Sequence, residues 1–324
     1  MPYSVRRIIS RFNVREQGVL LGFVFLVIVF SIINPNFLNM QNILNILRQS
    51  SMVGIIAMGM TFVIISGNFD ISVGAICAFS GAIALQMMND GFSMVPAILC
   101  AVVVCTGVGF INGFSVAKMG MPSLIATMAM MTILQGAMRI VTGGYPVYTE
   151  NEAYKAIADI TFGPGELRIG IPIIYFIAAI VIAQFVLRMT RYGSSIYSIG
   201  GNEEASRLSG IGVDSRKMSV FVINGFAAGL AGILLSSRVA TATMTAGDGY
   251  ELDAIAAVVI GGTSVAGGEG SAVRTVIGVL LMAIIGNILT MMGVTTFSQR
   301  VVKGVIIWLA VGFDSYNKKR LKKV

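Results

Sequence analysis

Apolar runs fill most of the chain, and they are too long and too numerous for a water-soluble protein. Of the 324 residues, 56% are hydrophobic and only 12% are charged, whereas a soluble domain of this length needs far more charge to cover its surface. A helix that crosses a hydrocarbon core of about 30 Å needs roughly 20 residues. The sequence therefore predicts an all-α, polytopic transmembrane helical bundle of about ten spans, some of them short or broken. The predicted spans are 19–33, 51–66, 71–88, 94–117, 123–141, 171–187, 218–236, 252–266, 274–293 and 301–313.

The positive charge predicts how these spans are oriented. The net charge of +8 lies mainly in three clusters, one before the first span, one in the loop 188–217 and one after the last span. The positive-inside rule places all three in the cytoplasm, and an even number of spans separates each cluster from the next. The clusters are Arg6, Arg7, Arg11 and Arg15; Arg188, Arg191, Arg207, Arg216 and Lys217; and Lys318, Lys319, Arg320, Lys322 and Lys323.

This orientation predicts one transmembrane domain over residues 1–324, with both termini in the cytoplasm. Residues 1–18 form a cytoplasmic N-terminal segment, 142–170 an external loop, 188–217 a cytoplasmic loop and 314–324 a basic cytoplasmic tail. The basic clusters face anionic lipid headgroups, and we expect no nucleic-acid partner. The first span is followed by NPNF and not by a small-residue cleavage site, so we expect it to be retained.

Several kinds of chemistry have little support. The chain has no histidine, and Cys77, Cys100 and Cys105 all lie inside apolar runs without CxxC spacing, so we expect neither a metal site nor structural disulfides. No stretch has the spacing of a phosphate-binding loop. We therefore expect a chain that is not an enzyme and has no catalytic residues. Active transport then needs an ATPase on another chain, or an ion gradient.

Two segments combine glycine with polar residues where the apolar pattern should continue. They are SGNFDISVG at 66–74 and GGTSVAGGEG at 261–270. Non-helical backbone survives at membrane depth only where protein or a water-filled cavity surrounds it, and transporters bind and gate their substrates at such broken helices. The predicted broken-helix glycines are Gly67, Gly74, Gly261, Gly262, Gly267 and Gly268.

The cytoplasmic loop predicts a short helix. Asn202 is a good N-cap, Glu203 and Glu204 place negative charge in the first turn, and Gly210 suits the position just past the end. Such a helix of about two turns exposes Ala205 and Leu208 on one side. It is either a docking contact for a partner protein or a solvated helix whose leucine folds back on the membrane.

Three stretches resemble the membrane permease subunits of ribose-type ABC sugar importers, a family in the larger group that includes branched-chain amino acid permeases. They are GMTFVIISGNFDISVGAICAFSG (59–81), YSIGGNEEASRLSGIGV (197–213) and ELDAIAAVVIGGTSVAGGEGS (251–271). In the first, Asp70, Ser72, Val73 and Gly74 match the sugar pattern, whereas Asn68, Phe69 and Ile71 replace a glycine, an isoleucine and a leucine. The aspartate favours the sugar branch.

The resemblance implies a permease in the bacterial cytoplasmic (inner) membrane that forms the pathway for a monosaccharide or a related small polar solute. It implies three partners: an ABC ATPase subunit that holds ATP and Mg, a periplasmic or lipoprotein sugar-binding protein, and a second permease chain, identical or homologous. No cofactor is expected on this chain. The loop helix is then similar to the family's ATPase-coupling segment, with Asn202, Glu203, Glu204, Ala205, Arg207, Leu208 and Gly210.

Candidate pathway residues lie in the first interruption, because a sugar needs polar side chains and aromatic faces. They are Asn68, Phe69, Asp70 and Ser72. An intramembrane aspartate costs roughly 2.5–3.5 kcal/mol on insertion scales, which makes Asp70 a functional candidate, but it also suits a cap on a helix starting at Ile71.

Other polar residues and the rival function complete the predictions. Asn112 and Asn287 are better explained by hydrogen bonds between helices than as ligands, and Glu251 and Asp253 as helix caps. The alternative function is an ion-coupled secondary sugar transporter. Such a carrier normally pairs intramembrane acids with basic residues, and only Asp70 is predicted to lie well inside.

Overall fold

Helices make up most of residues 14–164 and 168–321, which the computed structural model describes. This part of the chain contains thirteen helices and four two-residue strands. The helices are α1 Val14–Ile33, α2 Met40–Ile65, α3 Val73–Asn89, α4 Met94–Ala117, α5 Ser123–Thr142, α6 Glu152–Asp159, α7 Ile171–Met189, α8 Arg191–Gly201, α9 Glu203–Leu208, α10 Val213–Val239, α11 Tyr250–Ile260, α12 Ala272–Met291 and α13 Thr296–Leu321. The strands are β1 Val147–Tyr148, β2 Thr161–Phe162, β3 Ile169–Gly170 and β4 Thr241–Ala242.

The predicted all-helical bundle is confirmed, and each of the ten predicted spans falls on a separate helix. Six helices in the described part of the chain are long and apolar enough to cross a membrane: α2, α4, α5, α7, α10 and α12. Helix α11 has 11 residues, which is about 17 Å at 1.5 Å per residue and too short to cross a bilayer alone. The count of ten spans and the cytoplasmic position of both termini stay predictions. Arg6, Arg7, Arg11, Lys322 and Lys323 lie outside the described residues.

Helix α10 lies at the centre of the bundle and packs against α2, α3 and α4. Small residues allow this close approach: a β-carbon added to Gly225 would lie 2.9 Å from the Cα of Gly109 on α4. Two turns further along α10, a β-carbon added to Gly232 would collide with the carbonyl oxygen of Cys77 on α3. Packing of this kind is typical of membrane helices, where van der Waals contact replaces the hydrophobic effect.

The segment 142–170 carries a short helix that is fastened to α10. Tyr154 of α6 is fully buried, and its hydroxyl lies 2.6 Å from the Ser236 hydroxyl. Ser237 donates to the carbonyl oxygen of Tyr154 at 2.6 Å. Strand β1 pairs antiparallel with β4, which follows α10. These contacts join two segments that are distant in sequence into one layer at this end of the bundle.

A reciprocal pair of amides joins α2 to α12. The Asn42 side chain donates to the side-chain oxygen of Asn287 at 3.0 Å, and the Asn287 side chain donates to the side-chain oxygen of Asn42 at 2.8 Å. The prediction that Asn287 forms a hydrogen bond between helices is confirmed.

Candidate functional site

The first helix break lies between Ile65, the last residue of α2, and Val73, the first residue of α3. Gly67 has φ +82°, a conformation that favours glycine, and it turns the chain out of α2. The backbone N–H groups of Phe69 and Ile71 donate to hydroxyls on α5, at 3.2 and 3.1 Å. These hydroxyls belong to Ser123 and Thr127, which the sequence did not identify as part of the site.

Asp70 is the centre of a fully buried polar network. One carboxylate oxygen accepts from the Ser72 backbone N–H at 3.0 Å and from the Ser72 hydroxyl at 2.6 Å. The other accepts from the Asn224 side chain of α10 at 3.0 Å. The Asn112 amide of α4 donates to the Ser72 hydroxyl at 2.9 Å, so the expected interhelical role of Asn112 is confirmed. The network joins the start of α3 to α4 and α10.

The four predicted pathway residues differ in how much surface they present. Asn68, Asp70 and Ser72 are buried, whereas Phe69 is partly exposed. The Asn68 amide donates to the carbonyl oxygen and the hydroxyl of Ser66, both at 3.1 Å. Helix α3 begins at Val73 and not at Ile71, and Asp70 binds the N–H of Ser72, just before the helix. Asp70 therefore stabilises the turn into α3, close to the predicted capping role, and it also reaches α10 through Asn224.

The second break lies between Ile260, the end of α11, and Ala272, the start of α12. Its backbone has three left-handed residues: Gly262 at φ +90°, Gly267 at +84° and Gly268 at +76°. Non-glycine side chains rarely adopt such angles, so these three glycines are required by the path of the chain.

Gly261 and Gly74 are glycine for a different reason. Gly261 follows α11 in a helical conformation, and a β-carbon there would lie 2.6 Å from the Arg274 carbonyl oxygen. Gly74 lies inside α3, not in the break, and a β-carbon there would collide with the Gly247 carbonyl oxygen. Both positions need glycine for close packing.

The two breaks meet, although about 200 residues separate them in sequence. The Gly268 N–H donates to the Ile65 carbonyl oxygen, at the end of α2, with a distance of 2.9 Å. Gly67 and Gly267 are in contact as well, because a β-carbon added to Gly267 would lie 3.0 Å from the Gly67 Cα. The freed backbone groups of one break therefore find partners in the other.

The short helix predicted in the loop 188–217 is confirmed as α9. The Asn202 side chain accepts from the Ala205 N–H at 2.9 Å, as an N-cap does, and Gly210 follows the helix with φ +79°. Leu208 is 85% exposed and Ala205 is exposed beside it. This short helix thus presents an apolar side chain on the exposed surface of the protein.

Ion pairs fix α9 to the beginning of α10. Arg207 lies 2.9 Å from Asp214 and 3.5 Å from Glu203, and its hydrogen bond to Asp214 raises the pKa of its guanidinium. Lys217 pairs with Glu203 at 2.7 Å, and Lys118 of the α4–α5 loop pairs with Asp214 at 2.9 Å. Arg207 and Glu203 therefore orient α9, while Leu208 forms its free surface.

An acid–base pair that the sequence did not identify joins α11 to α13. Asp253 and Lys303 lie 2.7 Å apart, with side chains that are 14% and 27% exposed. The Asp253 carboxylate thus binds Lys303 and not a backbone N–H at the start of α11, so the structure does not support its predicted capping role. In residues 14–164 and 168–321, no three acidic, cysteine or histidine side chains cluster as a metal site requires.

An apolar cavity of about 820 Å³ lies between α2, α4, α7 and α10. Its lining includes Phe62, Tyr175, Ile182 and Phe226, and it is almost entirely non-polar. A sugar needs hydrogen-bonding partners, so this cavity does not suit a sugar pathway.

Comparison with known proteins adds the family. Residues 42–311 match the family model described as "Branched-chain amino acid transport system / permease component". The chain is 41% identical to the ribose import permease of Haemophilus influenzae over 95% of both chains. It is 44% identical to the ribose import permease of Bacillus subtilis, over 93% of this chain and 92% of the relative. An L-arabinose ABC transporter permease of Azospirillum brasilense is 34% identical over 96% of this chain and 91% of that protein. No solved structure gave a significant match.

Proposed function

Since the chain belongs to the branched-chain amino acid transport permease family, in its branch of ribose-type ABC permeases, we propose that it imports ribose. It is the translocation subunit of an ABC importer and a multi-pass protein of the bacterial inner membrane. The observation that supports ribose best is the 41% to 44% identity to ribose import permeases over nearly the whole chain. The more distant arabinose permease makes other pentoses the nearest competitors.

A partner ATPase docks on α9 in this proposal. The support is the combination of an exposed Leu208 with a frame of ion pairs through Arg207 and Glu203. A rigid helix with one free apolar residue can enter a pocket of a partner without further ordering, and this keeps the entropic cost of docking low. Glu204 and Ala205 complete the exposed surface, while Asn202 and Gly210 set its two ends.

The solute passes beside the two breaks in this proposal, between this chain and a second permease chain. Phe69 is the predicted pathway residue with exposed surface, and Gly67 beside it is also exposed. An aromatic face suits the C–H face of a sugar, and exposed backbone groups supply weak polar contacts. Asn68, Asp70 and Ser72 hold the break in shape from behind. A sugar-binding protein delivers the solute on the external side, where selection takes place.

The experiment that tests this function is uptake of radiolabelled ribose into liposomes that contain this chain with its ATPase. We expect uptake that requires ATP, the ATPase and the binding protein, and that continues when ionophores collapse ion gradients. Uptake by this chain alone that stops with the ionophore would establish the ion-coupled alternative. Competition by unlabelled arabinose and xylose ranks the sugars.

A further inference from the structure

The bend between α8 and α9, at residues 200–202, lies directly against both helix breaks. We call this bend the elbow. Asn202 caps both helices: its backbone N–H donates to the Ser198 carbonyl oxygen at 2.9 Å, and its side chain caps α9. It is the single residue between the two helices. Ile196 and Ile199 of α8 are 0% and 2% exposed, so one face of α8 is packed against the rest of the bundle. A force on α9 is therefore delivered to the end of α8.

At that end, four glycines from three segments bring their backbones together. A β-carbon added to Gly200 would collide with the Ile65 carbonyl oxygen and lie 2.5 Å from the Gly268 nitrogen. A β-carbon added to Gly267 would lie 2.8 Å from the Gly200 oxygen. We call Gly67, Gly200, Gly267 and Gly268 the glycine junction. It connects the end of α2, the second break and the elbow of α8.

Two hydrogen bonds hold the junction. The Gly268 N–H donates to the Ile65 carbonyl oxygen at 2.9 Å, and the Tyr197 hydroxyl of α8 donates to the Gly270 carbonyl oxygen at 2.9 Å. Gly67, Gly267 and Gly268 also have positive φ, so the backbone path alone explains them. Gly200 lies within a helix, so only the contact explains why it has no side chain.

We propose that the glycine junction transmits the displacement of α9 to both helix breaks, with Gly200 as its positioning residue. Backbone-to-backbone contact leaves no side-chain rotamer that could absorb a small shift, so a displacement of the elbow must move the ends of α2 and of the second break together. Packed interfaces of this kind respond by switching between discrete arrangements. The inference rests on the proposed function, since it requires an ATPase that acts on α9.

The neighbouring glycine provides a matched control. A β-carbon added to Gly201 meets nothing within 4 Å, so Gly201→Ala makes the same chemical change one residue away, and its methyl group makes no contact with Gly67, Gly267 or Gly268. The measured quantity is the ATP hydrolysed per ribose imported by the complex in liposomes. We expect Gly200→Ala to raise this ratio about fivefold or more, because ATP hydrolysis continues while the two helix breaks no longer move with α9. Gly201→Ala should leave the ratio unchanged.

A milder variant covers the case in which Gly200→Ala does not assemble. Tyr197→Phe removes only the hydroxyl that binds Gly270, and we expect the ratio to rise about twofold. If the Gly200→Ala complex assembles, an unchanged ratio of ATP hydrolysed to ribose imported overturns the proposal. If the Gly200→Ala complex does not assemble, an unchanged ratio in Tyr197→Phe overturns it. A wild-type complex that hydrolyses ATP but imports no sugar would instead refute the proposed function, and the junction with it.

Discussion

Replacing Asp70 by alanine should destabilise the protein by about 2–3 kcal/mol. The change removes the acceptor of three buried hydrogen bonds, two from Ser72 and one from Asn224, with lengths of 2.6 to 3.0 Å. A buried donor without an acceptor costs about 1–3 kcal/mol, which gives about 3 kcal/mol at the lower limit. Hydrogen bonds between membrane helices average about 0.6 kcal/mol, which gives about 2 kcal/mol for three.

Asparagine at the same position should cost less than about 1 kcal/mol. Its carbonyl oxygen can still accept both bonds from Ser72. Its side-chain amide nitrogen would face the side-chain amide nitrogen of Asn224. The side-chain oxygen of Asn224, however, is buried and has no hydrogen-bond partner. Rotating the Asn224 amide by half a turn would bring this oxygen to the new donor. The environment of Asp70 thus accommodates the neutral isostere.

The assay is denaturant-induced unfolding of the purified chain in detergent, with the midpoint and slope converted to a free energy. Asp90→Ala is the control, because that exposed carboxylate accepts one bond from Gln86 at 3.1 Å and its loss should stay within about 0.5 kcal/mol. Equal losses for Asp70→Ala and Asp70→Asn would refute the conclusion that the hydrogen bonds of the side chain at position 70 hold the break.

Three further variants test contacts elsewhere in the fold. Asn287→Leu should cost about 1 kcal/mol in the same unfolding assay, because Asn42 loses both of its bonds to Asn287, and adding Asn42→Leu should restore part of it; an additive loss would contradict the pairing. Tyr154→Phe loses the 2.6 Å bond to Ser236 and should speed hydrogen exchange in α6 about fivefold, the equivalent of about 1 kcal/mol; unchanged exchange would show that α6 is held otherwise. Lys303→Met should lower the thermal midpoint by leaving Asp253 unpaired, and Asp253→Asn in the same chain should recover most of the loss; no recovery would indicate that Lys303 acts through packing.

The helices and α9 could be predicted because their signals are local. An apolar run contains its own evidence for a membrane helix, and Asn202 and Gly210 terminate α9 through their own backbone chemistry. The predicted ends of helices differ from the observed ends where the residue composition does not follow the backbone conformation. Helix α2 begins at Met40, well before the predicted residue 51, because Asn39 caps it and its polar first turns are still helical. Helix α11 ends at Ile260 and not at the predicted residue 266, because the chain turns at Gly262, which has a left-handed backbone.

The partners of the polar residues could not be predicted. Asn224, Ser123 and Thr127 each lie in an apolar helix, and a single polar residue there does not indicate which helix it faces. The same holds for Lys303, whose partner Asp253 is 50 residues away. The meeting of the two breaks at Gly200 depends on three segments that the chain order does not place together. Long-range contacts thus determine the hydrogen-bond partners of the polar residues, whereas the local sequence pattern determines which helix or break each residue lies in.

The docking of a partner ATPase on α9 can be tested most directly by cross-linking at position 208. A photo-reactive amino acid replaces Leu208 in the membrane-bound complex, and a second variant carries it at Tyr145, which is 76% exposed in the predicted external loop. We expect light to produce an adduct with the mass of this chain plus the ATPase from position 208, and none from position 145. Absence of that adduct at position 208, or its presence at position 145, would contradict docking on α9.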